Sequence, residues 1–130
     1  MLILALKTDQ PLSQVVLYND NELIAEEKWE AHRQLAETIH QKIDQLLKDQ
    51  KHDWADIEGV LCYKGPGSFT GLRIGLSVAN ATAYGVGAAV VSTQGHDWQT
   101  AGIKRLLAGE DEGAALPEYG AEVHITKQKR

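Results

Sequence analysis

GPGSFTGLRIG, Gly65 to Gly75, is the stretch on which the reading of this chain turns. It follows the apolar run EGVLCY (Glu58 to Tyr63) and opens a segment of small and apolar residues that reads as a helix from Ser68 to about Tyr84. A strand, a glycine turn and a helix N-terminus in that order set free amides and the positive end of a helix dipole at one point, where an anion is favoured. A phosphate loop would close on Gly-Lys-Ser/Thr, the lysine reaching the phosphates and the hydroxyl holding magnesium; the residues here are Thr70-Gly71-Leu72. A nucleophile elbow would carry glycine two positions before and after its serine; Pro66 and Thr70 take those places around Ser68. No catalytic residue is expected. Two readings stay open: an anion-binding loop of Gly65, Gly67, Ser68 and Thr70, or a structural turn in which the glycines supply backbone geometry and Ser68 caps the helix.

The helix beyond the loop carries Gly71, Gly75, Ala79 and Ala83 at every fourth position, a ridge without bulky side chains. Each helical glycine costs roughly 1 kcal/mol relative to alanine, so a close approach by something should offset it. Spacing alone leaves open whether that something is this chain's own sheet or first helix, or another chain. Arg73 lies on the same helix, suited either to an acidic group on a partner or nearby loop or to solvent.

Outward from the loop, the pattern extends in both directions. Leu2 to Leu6 is an apolar run ended by the turn formers Lys7 to Pro11, and QVVLY (Gln14 to Tyr18) and ELIAEEKW (Glu22 to Trp29) flank Asn19-Asp20-Asn21 as a hairpin. From about Ala31 to Lys51 the period lengthens, with Leu35, Ile39, Ile43, Leu46 and Leu47 at helical spacing. Strands follow at Gly59 to Tyr63 and Ala88 to Ser92, then a helix within His96 to Ala108 ended by Gly109, an exposed acidic turn at Glu110 to Gly113, and a tail from Ala115. The order βββαβαβ predicts a meander of three antiparallel strands with parallel strands added beside it through crossover helices.

The 130 residues suffice for one core, and 43% hydrophobic against 24% charged residues is an ordinary globular balance. A net charge of −5 argues against a broad grip on nucleic acid, and only Lys127, Lys129 and Arg130 make a basic tail. The single cysteine, Cys62, reads as a buried small hydrophobe in a reducing compartment. No run has the length of a signal peptide or a membrane span, so a cytoplasmic location without membrane contact is expected. His32, His40, His52, His96 and His124 show no metal-ligand spacing, and no metal is expected. Glu26, Glu27 and Glu30 read as a solvated strand edge that discourages strand addition, and Trp29, Trp54 and Trp98 as core or interface anchors.

The signature GPGSFTGLRIG, preceded by ILALKTD, SQVVLYNDNELIAEE and LAETIHQKIDQLL in that order, resembles the TsaB (YeaZ) family, over about Met1 to Gln94. Leu116-Pro117-Glu118-Tyr119 is similar to that family's C-terminal Pro-x-Tyr tail. The resemblance implies an α/β fold, a single ASKHA (actin-like, RNase H-like) lobe with a mixed sheet and helices packed on it. Residues 1–95 would form the lobe, and 96–130 a short helix and tail in place of a second lobe. It implies a non-catalytic subunit that binds TsaD, with the ATPase TsaE, and supports threonylcarbamoyl transfer to N6 of the adenosine next to the anticodon of ANN-decoding tRNAs. ATP would be used by the partner complex and not hydrolysed by this chain, with tRNA met only indirectly. By position, the resemblance assigns Gly71, Gly75, Ala79 and Ala83 to a partner interface, which a homodimer would share, and Arg73 on the same helix is grouped with them for its guanidinium.

The departures bear on the same expectation. ASKHA enzymes usually carry an aspartate where this chain has Lys7, a residue that cannot ligate magnesium. The family's His-Ser-Glu motif stands here as Leu35-Ala36-Glu37. Only Gly95 to Leu116 fill the interval in which relatives hold a second lobe, so no interlobe nucleotide cleft is expected from these residues alone. The alternatives are a small nucleotide- or phosphate-binding protein using the glycine loop, and a self-paired homodimer without TsaD.

Overall fold

A computed structural model describes residues 1–116; the Pro-x-Tyr residues 117–119, His124 and the basic tail lie outside them. The chain runs β1 (Leu2–Lys7), β2 (Leu12–Asn19), β3 (Glu22–Glu30), α1 (Leu35–Asp49), β4 (Gly59–Tyr63), α2 (Phe69–Val86), β5 (Ala89–Thr93) and α3 (Trp98–Leu107), with short 3-10 turns at His32–Gln34 and Trp54–Asp56. The sheet order is β3-β2-β1-β4-β5. β1, β2 and β3 pair antiparallel, while β4 and β5 add parallel to β1 on its other side. This is the mixed sheet expected from the meander and its two crossover helices.

Both faces of the sheet are covered. Leu4, Leu6, Val15, Leu17, Val60 and Cys62 point to one side, where Ile39, Ile43 and Leu47 of α1 and Leu76, Ala79 and Ala83 of α2 complete the core. Ile3, Ala5, Val16, Leu61 and Val91 point to the other, where Trp98, Ile103 and Leu106 of α3 close over them. Alternation along β1 thus feeds two apolar layers, because successive strand residues face opposite sides. Since α3 fills the second layer, residues 98–107 share the core of 1–95; packing does not break at residue 95.

Local chemistry fixes the boundaries. Asp20 turns the β2–β3 hairpin with φ 55°, a left-handed conformation that aspartate tolerates. Gly87 ends α2 in the left-handed conformation, its amide donating to the Ala83 carbonyl oxygen. Glu26, Glu27 and Glu30 lie on edge strand β3, as their solvated-edge reading requires, with Lys28 and Lys42 pairing to Glu26 and Glu27. Trp98 is a core residue, and Trp29 and Trp54 rest against the core with their indole N–H groups on Thr38 and Asp44.

Candidate functional site

β1 and β4 are parallel neighbours, so the turn after β1 and the glycine loop after β4 emerge at the same end of the sheet. They are tied together there. The Ser68 amide donates to the Asp9 carbonyl oxygen at 2.9 Å, and the Thr8 hydroxyl donates to the Gly71 carbonyl oxygen at 2.8 Å. Ser68 caps α2, its hydroxyl accepting from the Gly71 amide at 3.4 Å. Gly65 has φ 106°, and a Cβ on Gly67 would overlap Asp9. These are the structural duties of a turn. Lys7 points its ammonium to Asp9 at 2.7 Å and lies 4.5 Å from the centre of the Tyr63 ring.

Beside this junction lies an open cleft of about 560 Å³, lined by Thr8, Gln10, Pro11 and Ser13 on one side and Ser68, Thr70, Gly71 and Ile74 on the other, with Arg33 and Leu35 at the start of α1. Ser13 is 1% exposed, and its hydroxyl oxygen finds no hydrogen-bond partner among the described residues. A buried hydroxyl without a partner forfeits its hydration, which a ligand or solvent molecule in the cleft would restore. Against a strong anion site stand the commitments of the loop itself, since the amides of Ser68, Gly71 and Leu72 already donate within the chain.

The small-residue ridge requires correction. Gly71, Gly75, Ala79 and Ala83 face inward. A Cβ on Gly71 would overlap the Thr8 carbonyl oxygen, one on Gly75 would overlap the Thr8 hydroxyl, and Ala79 and Ala83 are buried in the core layer beneath the helix. The close approach that the glycines permit is made by the chain's own β1–β2 turn, so these four residues are not a partner surface. Arg73, by contrast, is exposed.

The outer face of α2 consists instead of Thr70, Arg73, Ser77, Ala81 and Tyr84, at helical spacing opposite the ridge. Tyr84 is 92% exposed, more than any other large hydrophobic side chain among the described residues. The same four-residue periodicity, offset by two from the ridge, marks this face in the sequence, but nothing in the spacing says which of the two stripes faces solvent. Thr8 and Ser13 give no signal either, since nothing in a turn sequence marks a hydroxyl for burial. Among the described residues, no group of three histidine, cysteine or carboxylate side chains could hold a metal ion, and no helix is long and apolar enough to cross a membrane.

Comparison with known proteins joins this geometry to a family. Residues 26–98 match the family model described as TsaD, tRNA N6-adenosine threonylcarbamoyltransferase. The chain is 31% identical over 117 residues to the tRNA threonylcarbamoyladenosine biosynthesis protein TsaB of Escherichia coli K12, covering 85% of this chain and 50% of that protein. It therefore spans about half the length of that curated relative. Among solved structures, YeaZ from Pseudomonas aeruginosa superposes with a TM-score of 0.66 at 22% identity, over 72% of this chain and 43% of that one. A second structure, an uncharacterized protein with similarity to peptidase YeaZ from Pseudomonas aeruginosa, gives 0.67 over the same shares. The lobe's fold is thus the ASKHA-like fold of its YeaZ neighbours, and the chain belongs to the TsaB (YeaZ) family of tRNA threonylcarbamoyladenosine biosynthesis.

Proposed function

We propose that this chain is a non-catalytic subunit of the threonylcarbamoyladenosine machinery, which binds a TsaD-type partner, with TsaE, in the cytoplasm. Its part is to support transfer of the threonylcarbamoyl group to N6 of the adenosine beside the anticodon of ANN-decoding tRNAs, with tRNA held by the partners. The observation that carries this reading is the outer face of α2. A tyrosine left 92% exposed beside the small residues Ser77 and Ala81 offers a partner helix an aromatic anchor next to a shallow track. Arg73 adds a guanidinium suited to a carboxylate on that partner. The absence of a Lys-Ser/Thr pair from the glycine loop supports assigning ATP to the partner complex.

The experiment is co-elution of the chain with the same organism's TsaD, followed by tRNA modification assayed with and without the chain. Wild type is expected to co-elute and to raise modification, while Tyr84→Ala and Arg73→Glu lower co-elution at least tenfold in folded protein. Undiminished co-elution of both folded variants would reject the α2 face. A complex of wild type with itself alone would favour self-pairing through that face.

A second reading rests on the cleft beside the glycine loop, where Ser13 presents its unpartnered hydroxyl near the N-terminus of α2. In that reading the cleft takes a phosphate or a nucleotide. Calorimetric titration of the isolated chain with ATP, ADP and inorganic phosphate separates the two: the scaffold reading expects no heat of binding, and saturable heat abolished by Ser13→Ala would favour the ligand reading.

A further inference from the structure

The two edges of the sheet are defended differently. β3 carries Glu22, Glu26, Glu27, Lys28 and Glu30, charges that discourage another strand. β5 is Ala-Val-Val-Ser-Thr, rich in strand-forming residues and without a charge or proline of its own. Its protection comes from elsewhere.

Ala89 and Thr93 bond inward, the Ala89 amide donating to Glu58 and the Thr93 carbonyl accepting from Lys64, so the outward backbone groups of β5 are those of Val90 and Ser92. All four are occupied without a strand. The Val90 amide donates to Asp111 Oδ1 at 3.1 Å and the Ser92 amide to Glu112 Oε2 at 2.9 Å. The Val90 carbonyl accepts from the Glu112 amide at 2.7 Å, and the Ser92 carbonyl from Arg105 Nη1 at 2.9 Å. Glu112 also accepts from the Ser92 hydroxyl at 2.8 Å and pairs with Arg105 Nη2 at 2.9 Å, while Arg105 Nε pairs with Glu110 at 2.7 Å. On the far side of the edge, Asn80 of α2 grips the Ala115 backbone through both its amide groups, at 2.7 and 3.1 Å. Residues 110–115 are thus a strap that leaves α3 on one face, closes the β5 edge with side chains, and is tied to α2 on the other.

The four groups under the strap are also self-complementary. An antiparallel copy with Val90 opposite Ser92 and Ser92 opposite Val90, its two-fold axis through Val91, would satisfy all four on each chain by backbone pairing. Strap and second copy exclude each other. The strap's grip comes largely from carboxylates and a guanidinium that remain partly in water, where ion pairs are weak and screened, whereas strand pairing is not screened. We propose that residues 110–115 are a releasable guard over a self-pairing edge, latched by Glu112: in place it keeps β5 closed, and once displaced it lets β5 pair antiparallel with the β5 of a second copy of this chain.

The test compares the full chain with its Asp111→Asn/Glu112→Gln variant, which keeps side-chain shape and removes the charges. Light scattering across a concentration series gives mass, and isotope-filtered NMR on mixed labelled and unlabelled protein detects contacts between copies. The variant is expected to double its mass relative to wild type, with contacts between Val90 of one copy and Ser92 of the other. When dilute, its Val90 and Ser92 amides should exchange roughly ten- to a hundredfold faster than in wild type, the range for losing hydrogen bonds to charged groups. Asn80→Ala releases the strap from its far end without altering the edge or the latch; it should move both readouts in the same direction, and it decides the matter if the double variant does not fold. A folded variant that keeps the wild-type mass at every concentration, a doubling without contacts between Val90 and Ser92, or those contacts already present in wild type would each overturn the proposal.

Discussion

The Thr8 side chain fills the space that a side chain on Gly75 would need, while its hydroxyl reaches one turn along α2 to donate to the Gly71 carbonyl oxygen. Thr8 is 1% exposed, so neither partner has room to withdraw. Gly75→Ala should therefore destabilise the lobe by about 1–3 kcal/mol, the range for overpacking a filled interior. Thr8→Ala should cost about 1 kcal/mol for the lost hydrogen bond. Because Thr8→Ala removes the hydroxyl that a Cβ on Gly75 would overlap, and that Cβ refills part of the space the hydroxyl leaves, the double variant should be more stable than the sum of the two predicts, by at least about 0.5 kcal/mol as residues in contact do. Denaturant unfolding of all four proteins gives the coupling directly; strict additivity would mean that the two residues do not touch.

That contact also shows where the sequence stopped being informative. A glycine or alanine at every fourth position of α2 says that a surface comes close, and one does. It does not say whose. The partner is a threonine 63 residues before Gly71, in a turn whose composition predicts exposure, and only the parallel pairing of β1 with β4 brings the two together. Strands and helices were legible because their apolar periods differ, as Leu35, Ile39 and Ile43 against the run Gly59 to Tyr63 illustrate. The role of Asp111 and Glu112 was not, since a carboxylate bound to a strand's backbone and one bound to water are the same letter in an acidic turn.

Cys62 lies fully within the core layer under the helices, and burial pushes its thiol up to about 12, with the Glu112 carboxylate adding to the shift. The thiolate is the reactive form, so at pH 8 the native protein should be nearly inert to an aromatic disulfide reagent. Labelling is expected to be at least about a hundredfold slower than in denatured protein and to follow global unfolding. Fast native labelling would place Cys62 at the surface.

On the opposite face, Gly102 of α3 is buried against Leu61 so closely that an added Cβ would overlap the leucine side chain, itself wholly enclosed. Gly102→Ala should lower stability by about 1–3 kcal/mol in thermal or denaturant unfolding. Its unfolding should stay a single transition, because α3 shares its apolar layer with β1 and β4. If the variant instead loses only the signal of Trp98 in a separate early step, α3 is an appendage and not part of the lobe's core.

Three aspartates are held ionised by the fold and should contribute to its acid sensitivity. Asp56 is held below its ordinary value of 3.8 by the Asp53 amide in a capping box and by His52, Asp44 by Lys48 and the Trp54 indole, and Asp111 by the amides of Gly113 and Val90. Each carboxylate is easier to ionise in the folded chain than in the unfolded one, so the unfolded state binds more protons and stability rises with pH across this range. The contribution is complete above 3.8 and is lost as pH falls through the lower folded values. Unfolding free energy should therefore be insensitive to these groups near neutrality and fall steadily below about pH 4. Asp56→Asn and Asp44→Asn should each flatten the acid limb while lowering the neutral plateau, and Asp111→Asn should do the same while speeding exchange at the Val90 amide. An acid limb unchanged in all three variants would show that other carboxylates carry the linkage.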